Sequence, residues 1–259
     1  MKKIPILILH GWRVPVERYF PLENLFLKAG FKVFVPQLPG FETDKKHTGS
    51  DRMGSPGVER IRKSIVRGYT LDNYIDFVIN FLKQKKIDKV FLVGHSFGGR
   101  VAIKLSTLHP EKVKALLLTG VPAIRDKNLK RTIFLILAKL GKAACTIPPF
   151  CLLKQGARKI LYGVAGEWNY YQTNGVLKQT FKKIVNENLE PLLSKIKIPT
   201  LLLWGEKDQI VPVSIAQKIF AKIPKTDLII ISNTSHKLPY ENPNLFSKKC
   251  LEFLDVFLE

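Results

Sequence analysis

Residues 89–100 read KVFLVGHSFGGR, an apolar run followed by Gly-x-Ser-x-Gly. A continuous apolar run of this kind is typical of a strand buried on both faces of a sheet, and the pattern from Phe97 to His109 indicates a helix. Glycines around a serine at such a junction let neighbouring backbones approach closely in a sharp turn. The stretch therefore predicts that Ser96 is presented at a strained strand-to-helix turn, where a nucleophile would be placed.

Apolar runs on both sides of this motif alternate with helical patterns. Strands are predicted at Ile4–Leu9, Lys32–Pro36, Lys89–Val93, Val113–Thr119, Pro199–Trp204 and Thr226–Ile231. Helices are predicted at Glu17–Ala29, Leu71–Lys86, Phe97–His109, Val213–Lys222 and Pro243–Phe257. This alternation predicts the α/β class, with a mostly parallel sheet of about six strands covered by helices on both faces.

Two segments interrupt the alternation. Residues 42–68 are rich in Gly, Ser, Lys and Arg and form a predicted long basic loop within the core. Residues 121–195 have helical patterns without strands, although they lie between two core strands. They must leave the sheet and return, so we expect a helical lid. The predicted core domain then comprises residues 1–120 and 196–259.

A serine nucleophile needs a base, and the base needs an acid that orients it. The histidines after Ser96 are His109 and His236. His109 ends the helix that begins next to the serine, so it points away from that edge of the sheet. His236 directly follows the last predicted strand, and sites form at the carboxyl ends of parallel strands. His236 is therefore the predicted base.

The acid is sought in the sequence Gly-Glu-Lys-Asp, residues 205–208, which follows the strand ending at Trp204. Asp208 is the preferred acid and Glu206 the alternative. The chain order Ser96, Asp208, His236 is the order expected of a hydrolase with the nucleophile in such a turn.

A site of this kind also needs backbone N–H donors for the oxyanion that forms during acyl transfer. The sequence His-Gly-Trp, residues 10–12, follows the first strand and reaches the same edge of the sheet. The predicted donors are the main-chain amides of Trp12 and of Phe97, the residue after the serine. The alternative for the first loop is an ordinary buried turn.

Six blocks of the sequence resemble the α/β-hydrolase fold family, in particular small bacterial serine carboxylesterases with a helical lid. The blocks are ILILHGW (6–12), PQLPGF (36–41), YTLDNY (69–74), VGHSFGGR (93–100), LWGEKDQIVP (203–212) and SHKLPYENP (235–243). The resemblance implies cleavage of carboxylic esters through an acyl-enzyme intermediate on a Ser-His-Asp triad. It departs from the family at Arg13, where a small residue is common, and at Ser235, where glycine is usual. The two strands that usually precede the first block are also absent.

The chain carries 42 Lys+Arg and 21 Asp+Glu, a net charge of +21. Residues 125–197 alone have 14 Lys+Arg and 4 Asp+Glu. A functional interpretation is a basic lid over an apolar acyl pocket, which recruits an anionic or lipid-like ester and contacts a membrane surface peripherally. The alternative is a lid whose lysines are simply solvated. No nucleic-acid-binding motif accompanies the charge, so no nucleic-acid partner is expected.

The three cysteines, at 145, 151 and 250, have no metal-ligand spacing, and no further glycine motif would hold a phosphate. We therefore expect neither a metal nor a cofactor. Reduced thiols favour a cytoplasmic location. No run of about 20 apolar residues predicts a transmembrane segment.

The sequence leaves the substrate and the oligomeric state open. Lipase, lactonase and C–C bond hydrolase activities can use the same triad. A ligand receptor on a hydrolase scaffold is the non-enzymatic alternative.

Overall fold

The computed structural model describes residues 3–41, 68–124 and 175–257. The strands are β1 (Ile6–Leu9), β2 (Val33–Phe34), β3 (Val90–His95), β4 (Val113–Thr119), β5 (Thr200–Gly205) and β6 (Thr226–Ile231). The helices are α1 (Phe20–Lys28), α2 (Leu71–Gln84), α3 (Phe97–Leu108), α4 (Gly175–Asn186), α5 (Glu190–Leu193), α6 (Val213–Phe220), α7 (Leu238–Glu241) and α8 (Pro243–Asp255). Short 3-10 helices span Val16–Tyr19 and Pro110–Lys112.

These strands form one sheet in the order β2-β1-β3-β4-β5-β6, and all five pairings are parallel. The predicted α/β class and the parallel sheet of about six strands are confirmed. The chain direction is the same in every strand, so the loops after β1, β3, β5 and β6 all leave the sheet at one edge. That edge receives every residue that the sequence proposes for the site.

Helices cover both faces of the sheet because the strands are apolar on both sides. One hydrophobic cluster joins α2, α3 and α6 to the sheet, and a second joins α1 and α8 to the opposite face. Strands β1 and β3 are buried at every position. The core therefore fixes the strand ends from both sides.

Several predicted bounds differ from the observed ones. The predicted helix Glu17–Ala29 is a 3-10 turn followed by α1, because Pro21 lies in the first turn of α1 and has no N–H to continue an earlier helix. Strand β3 extends through His95, two residues further than predicted. Strand β2 has only two residues.

The predictions for the loop at 42–67 and for the lid residues 125–174 lie outside the described residues, as do Cys145 and Cys151. The last part of the predicted lid is helical in the structure, as α4 and α5. The division into core and lid domains stays a prediction. Within residues 3–41, 68–124 and 175–257, no helix has both the length and the apolar character needed to span a membrane.

Candidate active site

Ser96 lies between β3 and α3 with φ 53° and ψ −113°. A positive φ is strained for any residue with a side chain, so the predicted sharp turn is confirmed. The turn is possible because its glycines touch neighbouring backbone. A Cβ on Gly94 would lie 2.6 Å from Gly99 Cα, and a Cβ on Gly98 would lie 2.1 Å from Leu9 O. The serine is half-buried and begins a helix, whose N-terminal dipole favours negative charge.

Asp208 and His236 are brought together from the loops after β5 and β6. The distance from His236 Nδ1 to Asp208 Oδ2 is 2.8 Å, and both residues are buried. The other carboxylate oxygen, Oδ1, accepts hydrogen bonds from the backbone N–H groups of Ile210 and Val211 at 2.9 and 2.8 Å. These two bonds orient the carboxylate, so that Oδ2 faces the imidazole ring.

Glu206, the alternative acid, is directed elsewhere. Its Oε2 accepts a hydrogen bond from the backbone N–H of Asn233 at 2.9 Å, on the exposed side of the loop. Glu206 therefore joins the loops after β5 and β6, while Asp208 is the carboxylate that contacts His236. His109 lies at the far end of α3, about 20 Å from Ser96 at 1.5 Å per residue, and its Nδ1 lies 3.4 Å from Glu111 Oε1.

The His236 ring lies over the end of β4, next to the serine turn. A Cβ on Gly120 would lie 2.7 Å from His236 Nδ1, and the preceding residue, Thr119, accepts the Ser96 N–H at 2.9 Å. Among the described residues, no hydrogen bond joins Ser96 Oγ to the His236 ring. In unliganded enzymes this contact is often long and tightens when substrate binds.

The two segments that carry the predicted oxyanion donors are in contact. The amide of Gly98 donates to His10 O at 3.1 Å, which joins the first turn of α3 to the loop after β1. Within the described residues, the N–H groups of Trp12 and Phe97 have no hydrogen-bond acceptor. Their side chains are in contact, with ring centroids 5.4 Å apart. The arrangement can therefore offer two backbone donors to one developing negative charge.

Aromatic rings form an apolar wall around this pair of amides. The Trp12 ring packs edge to face against Phe41, Phe97 and Phe181, with centroids 4.8, 5.4 and 5.0 Å apart. Phe181 belongs to α4, so α4 contributes to this wall. Such a surface suits an apolar group of a small-molecule ligand.

Arg13 also lies in the loop after β1, with φ 54°. It is the third residue of a turn closed by the Val14 N–H and Gly11 O at 3.2 Å. A left-handed residue at this place favours glycine or asparagine, which is the physical reason that a small residue is common here.

Sequence reasoning missed three buried polar residues beneath the site, namely His10, Tyr19 and His95. Burial lowers the pKa of His10 to about 4, partly opposed by its hydrogen bond with Gly11. Burial lowers the pKa of His95 well below its usual range, and nearby His236 lowers it further. Both rings are therefore neutral. His95 lies just beyond the strand predicted to end at Val93, and nothing local in the sequence indicates its partner.

In the parts of the chain that the structure describes, no group of three or more His, Cys, Asp or Glu side chains is placed to hold a metal ion. The expectation that the protein needs no cofactor stays a prediction.

A parallel sheet with a strained serine turn after one strand and an Asp–His pair after two others is typical of α/β hydrolases. The sequence profile described as the alpha/beta hydrolase family matches residues 6–248, and the chain belongs to this family.

Curated relatives are similar over nearly the whole chain. An esterase/lipase-type protein of Mycoplasma genitalium is 27% identical, covering 98% of this chain and 90% of its own. A 2-hydroxy-6-oxononadienedioate/2-hydroxy-6-oxononatrienedioate hydrolase of Comamonas testosteroni is 25% identical, covering 94% and 82%. The two relatives are named for different reactions, so the family membership leaves the bond that is cleaved open.

A solved structure shows the same fold. An alpha/beta hydrolase enzyme from the metagenome of sediments of the Mar Chica lagoon in Morocco matches with a TM-score of 0.66 and 21% identity, covering 98% of this chain and 91% of that chain.

Proposed function

We propose that the protein is a serine hydrolase that cleaves carboxylic esters, with Ser96 as nucleophile, His236 as general base and Asp208 as the orienting acid. The observation that carries the proposal is the 2.8 Å contact between Asp208 Oδ2 and His236 Nδ1 beside the strained Ser96 turn. Because Asp208 Oδ2 accepts a hydrogen bond from the Nδ1–H of His236, Nε2 is the ring nitrogen left to take a proton.

The proposed reaction has two halves. His236 Nε2 takes the proton of Ser96 Oγ as the oxygen attacks the ester carbonyl, and the Trp12 and Phe97 amides receive the oxyanion. The tetrahedral intermediate collapses to an acyl-enzyme as His236 protonates the departing alcohol. Water then attacks the acyl-enzyme with the same base, which releases the acid and restores Ser96.

The substrate proposed is an ester with a small to medium acyl group, which would lie against the aromatic wall at Trp12 and Phe181. The similarity to the esterase/lipase-type relative supports this choice. The net charge of +21 supports an anionic or lipid-like ester, since a strongly basic protein attracts anions over long range. Residues 121–195, which include α4, would cover the site as a lid.

Hydrolysis of a C–C bond is the second candidate. It is favoured by the Comamonas testosteroni relative, whose named substrates are dicarboxylates and would also suit a basic protein. The two activities are separated by measuring turnover of a neutral aryl ester and of a 2-hydroxy-6-oxo-dienoate with the same preparation. The proposal requires ester turnover at least as fast as release of the dienoate product.

The nucleophile is tested with Ser96→Ala. We expect loss of ester turnover and of covalent labelling by a serine-directed phosphonate, with the circular dichroism spectrum unchanged. Ser235→Ala is the matched control, because Ser235 adjoins His236 in the chain but its hydroxyl bonds the exposed Glu241 at 3.0 Å. Labelling of Ser96→Ala at the wild-type rate would contradict the assignment.

The acid is tested by comparing Asp208→Asn with Glu206→Gln. Asp208→Asn should lower kcat by about 10⁴, because an amide N–H can hold the wrong histidine tautomer. Glu206→Gln should change kcat by less than about tenfold, because that side chain contacts Asn233 rather than the ring. The reverse ranking would make Glu206 the orienting acid.

A further inference from the structure

Two buried side chains link the loop after β1 to the loop after β6. The Tyr19 hydroxyl lies 3.0 Å from Gly11 N and 2.6 Å from His95 Nδ1. On the other side of the ring, His95 Nε2 lies 3.0 Å from the carbonyl oxygen of His236. Tyr19 is fully buried and His95 is 1% exposed. The chain of contacts therefore runs from the proposed oxyanion loop to the proposed base without passing through solvent.

The donors and acceptors in this chain can be assigned in only one way. The His236 carbonyl can only accept, so His95 Nε2 carries the proton. In a neutral ring Nδ1 is then an acceptor, so the Tyr19 O–H donates to it. The Tyr19 oxygen in turn accepts the Gly11 N–H. Burial lowers the pKa of His95 and raises that of Tyr19, so both stay neutral and the assignment persists at neutral pH.

The Gly11–Trp12 peptide has two polar groups, and within the described residues its carbonyl is hydrogen-bonded while the Trp12 N–H is not. The Gly11 N–H, which belongs to the preceding peptide, donates to the Tyr19 hydroxyl oxygen. The Gly11 carbonyl accepts from His10 Nδ1 at 2.9 Å and from Val14 N at 3.2 Å. His10 Nε2 accepts the Leu38 N–H at 3.0 Å, so the proton is on Nδ1. In a trans peptide the N–H points opposite to the C=O, so these contacts set the direction of the Trp12 N–H.

His236 is held in a parallel way. Asp208 fixes its ring through Nδ1 at 2.8 Å, and His95 fixes its backbone carbonyl at 3.0 Å. The fit around His95 is close, because a Cβ on Gly11 would lie 2.9 Å from His95 Nδ1. The His95 ring therefore lies directly between the loop after β1 and the loop after β6. A shift of one loop would displace the other through this ring.

We propose that Tyr19 and His95 are positioning residues, which hold the Trp12 amide and the His236 ring in the mutual arrangement that ester hydrolysis requires. This rests on the function proposed above. Neither residue touches the reacting atoms. Removal of the link should lower stabilisation of the transition state while leaving the binding of the ground-state ester almost unchanged.

The experiment compares Tyr19→Phe with Tyr240→Phe. The Tyr240 ring packs against both Tyr19 and His95 at 5.8 Å, but its hydroxyl bonds neither, so its variant removes a matched group. We measure kcat and KM for a neutral aryl ester, and the inhibition constant of a trifluoromethyl ketone, whose serine adduct carries an oxyanion. Active sites are counted by phosphonate titration, and kcat is calculated per titrated site, so that a loss of folded protein does not lower it.

Tyr19→Phe should lower kcat by about 10- to 100-fold and should raise the inhibition constant of the ketone by a similar factor. This loss is smaller than that expected from deleting an oxyanion donor. KM should change by less than about threefold, because the link does not touch the bound ester. Tyr240→Phe should leave all three values within about twofold of the wild type. A merely structural role would reduce the number of titrated sites but leave the ketone affinity of the remaining sites unchanged.

A second variant, His95→Phe, fills the place of the ring but removes both the acceptor for the Tyr19 O–H and the donor to the His236 carbonyl. If the two residues act through one link, the double variant should be no slower than the slower single variant. A double variant whose loss of kcat equals the product of the two single losses would overturn the proposal. So would titrated Tyr19→Phe sites with wild-type kcat and ketone affinity, or, should that protein not fold, His95→Phe sites with both values unchanged. In each case wild-type turnover that depends on Ser96 would show that the proposed function itself stands.

Discussion

Helices α3 and α4 meet at Arg100 beside the site, yet they are attached to the molecule in different ways. Nine of the twelve residues of α3 are buried, against two of twelve in α4. The first turn of α3 lies directly on strand backbone, since a Cβ on Gly98 would be 2.1 Å from Leu9 O. Close packing of this kind leaves α3 no room to shift, which suits the helix that presents Ser96.

The attachment of α4 combines a few apolar contacts, such as those of Phe181 and Ile184, with hydrogen bonds. Arg100 Nη2 donates to Ile184 O at 2.7 Å and its Nη1 donates to Pro122 O, so a cation joins the C-terminal turn of α4 to the end of β4. At the other side, Thr180 Oγ1 accepts the Tyr69 N–H at 2.8 Å. A few bonds of this kind are specific but individually weak. We therefore expect α4 to separate from the core at lower free energy than α3.

The largest effect should come from adding one methyl group to each helix start. Gly98→Ala places a Cβ against a strand carbonyl that cannot move, and should lower the free energy of unfolding by about 4 kcal/mol or more. Among the described residues, a Cβ at Gly175 would have no atom within 4 Å, and the φ of +57° opposes the substitution. It should cost about 1 kcal/mol. Urea unfolding measures both, and equal losses would contradict the difference between the helices.

Low pH should destabilise the fold through His10, which lies in the loop that packs against the first turn of α3. Burial lowers the pKa of His10 from 6.5 to about 4. Between these two pH values the unfolded chain binds a proton at His10 and the folded chain does not. Stability is therefore complete above pH 6.5 and falls as the pH decreases toward 4. Between pH 7 and 5, His10 alone should remove about 2 kcal/mol, and the depressed pKa of His95 acts in the same direction.

Urea titrations at pH 7, 6 and 5 measure this loss. His10→Gln, which removes the titrating ring, should reduce the loss of stability between pH 7 and 5. A free energy of unfolding that stays constant from pH 7 to 5 would mean that the buried rings accept protons without cost.

Arg100→Met should affect α4 more than α3. It removes the cation that binds the Pro122 and Ile184 carbonyls, at a cost of about 2 kcal/mol. Hydrogen exchange should then accelerate at α4 amides while the α3 amides remain protected. Arg100→Lys, which keeps the charge but not the planar fork, should recover less than half of the loss. Equal acceleration in both helices would show that Arg100 supports the whole core instead.

The smallest effect is expected from a single hydroxyl. Thr180→Val removes the acceptor of the Tyr69 N–H and should cost about 1 kcal/mol. Thr107→Val is the matched control in α3, because among the described residues that hydroxyl bonds the carbonyl of Ile103 in its own helix, at 2.9 Å, and no other group. It should change stability by less than about 0.5 kcal/mol. Thermal unfolding of the pair measures the difference, and the opposite ranking would contradict it.

The order of strands and helices could be predicted because apolar periodicity reports burial locally. The bounds were less accurate where a residue interrupts the backbone bonding, as Pro21 does at α1, or where a polar residue continues a strand, as His95 does in β3. The strained conformation of Ser96 was also predictable, since glycines at fixed spacing around it indicate close backbone approach.

The sequence by itself determined the parallel sheet and the placement of Ser96, Asp208 and His236 after strands that end at one edge. Only the tertiary structure decided which of two nearby carboxylates contacts the base, because Asp208 and Glu206 follow the same strand and differ only in where packing directs them. It also decided that Tyr19 bonds His95, 76 residues away. Local patterns encode where a strand ends, whereas a buried hydrogen bond depends on side-chain directions that exist only once the elements have packed.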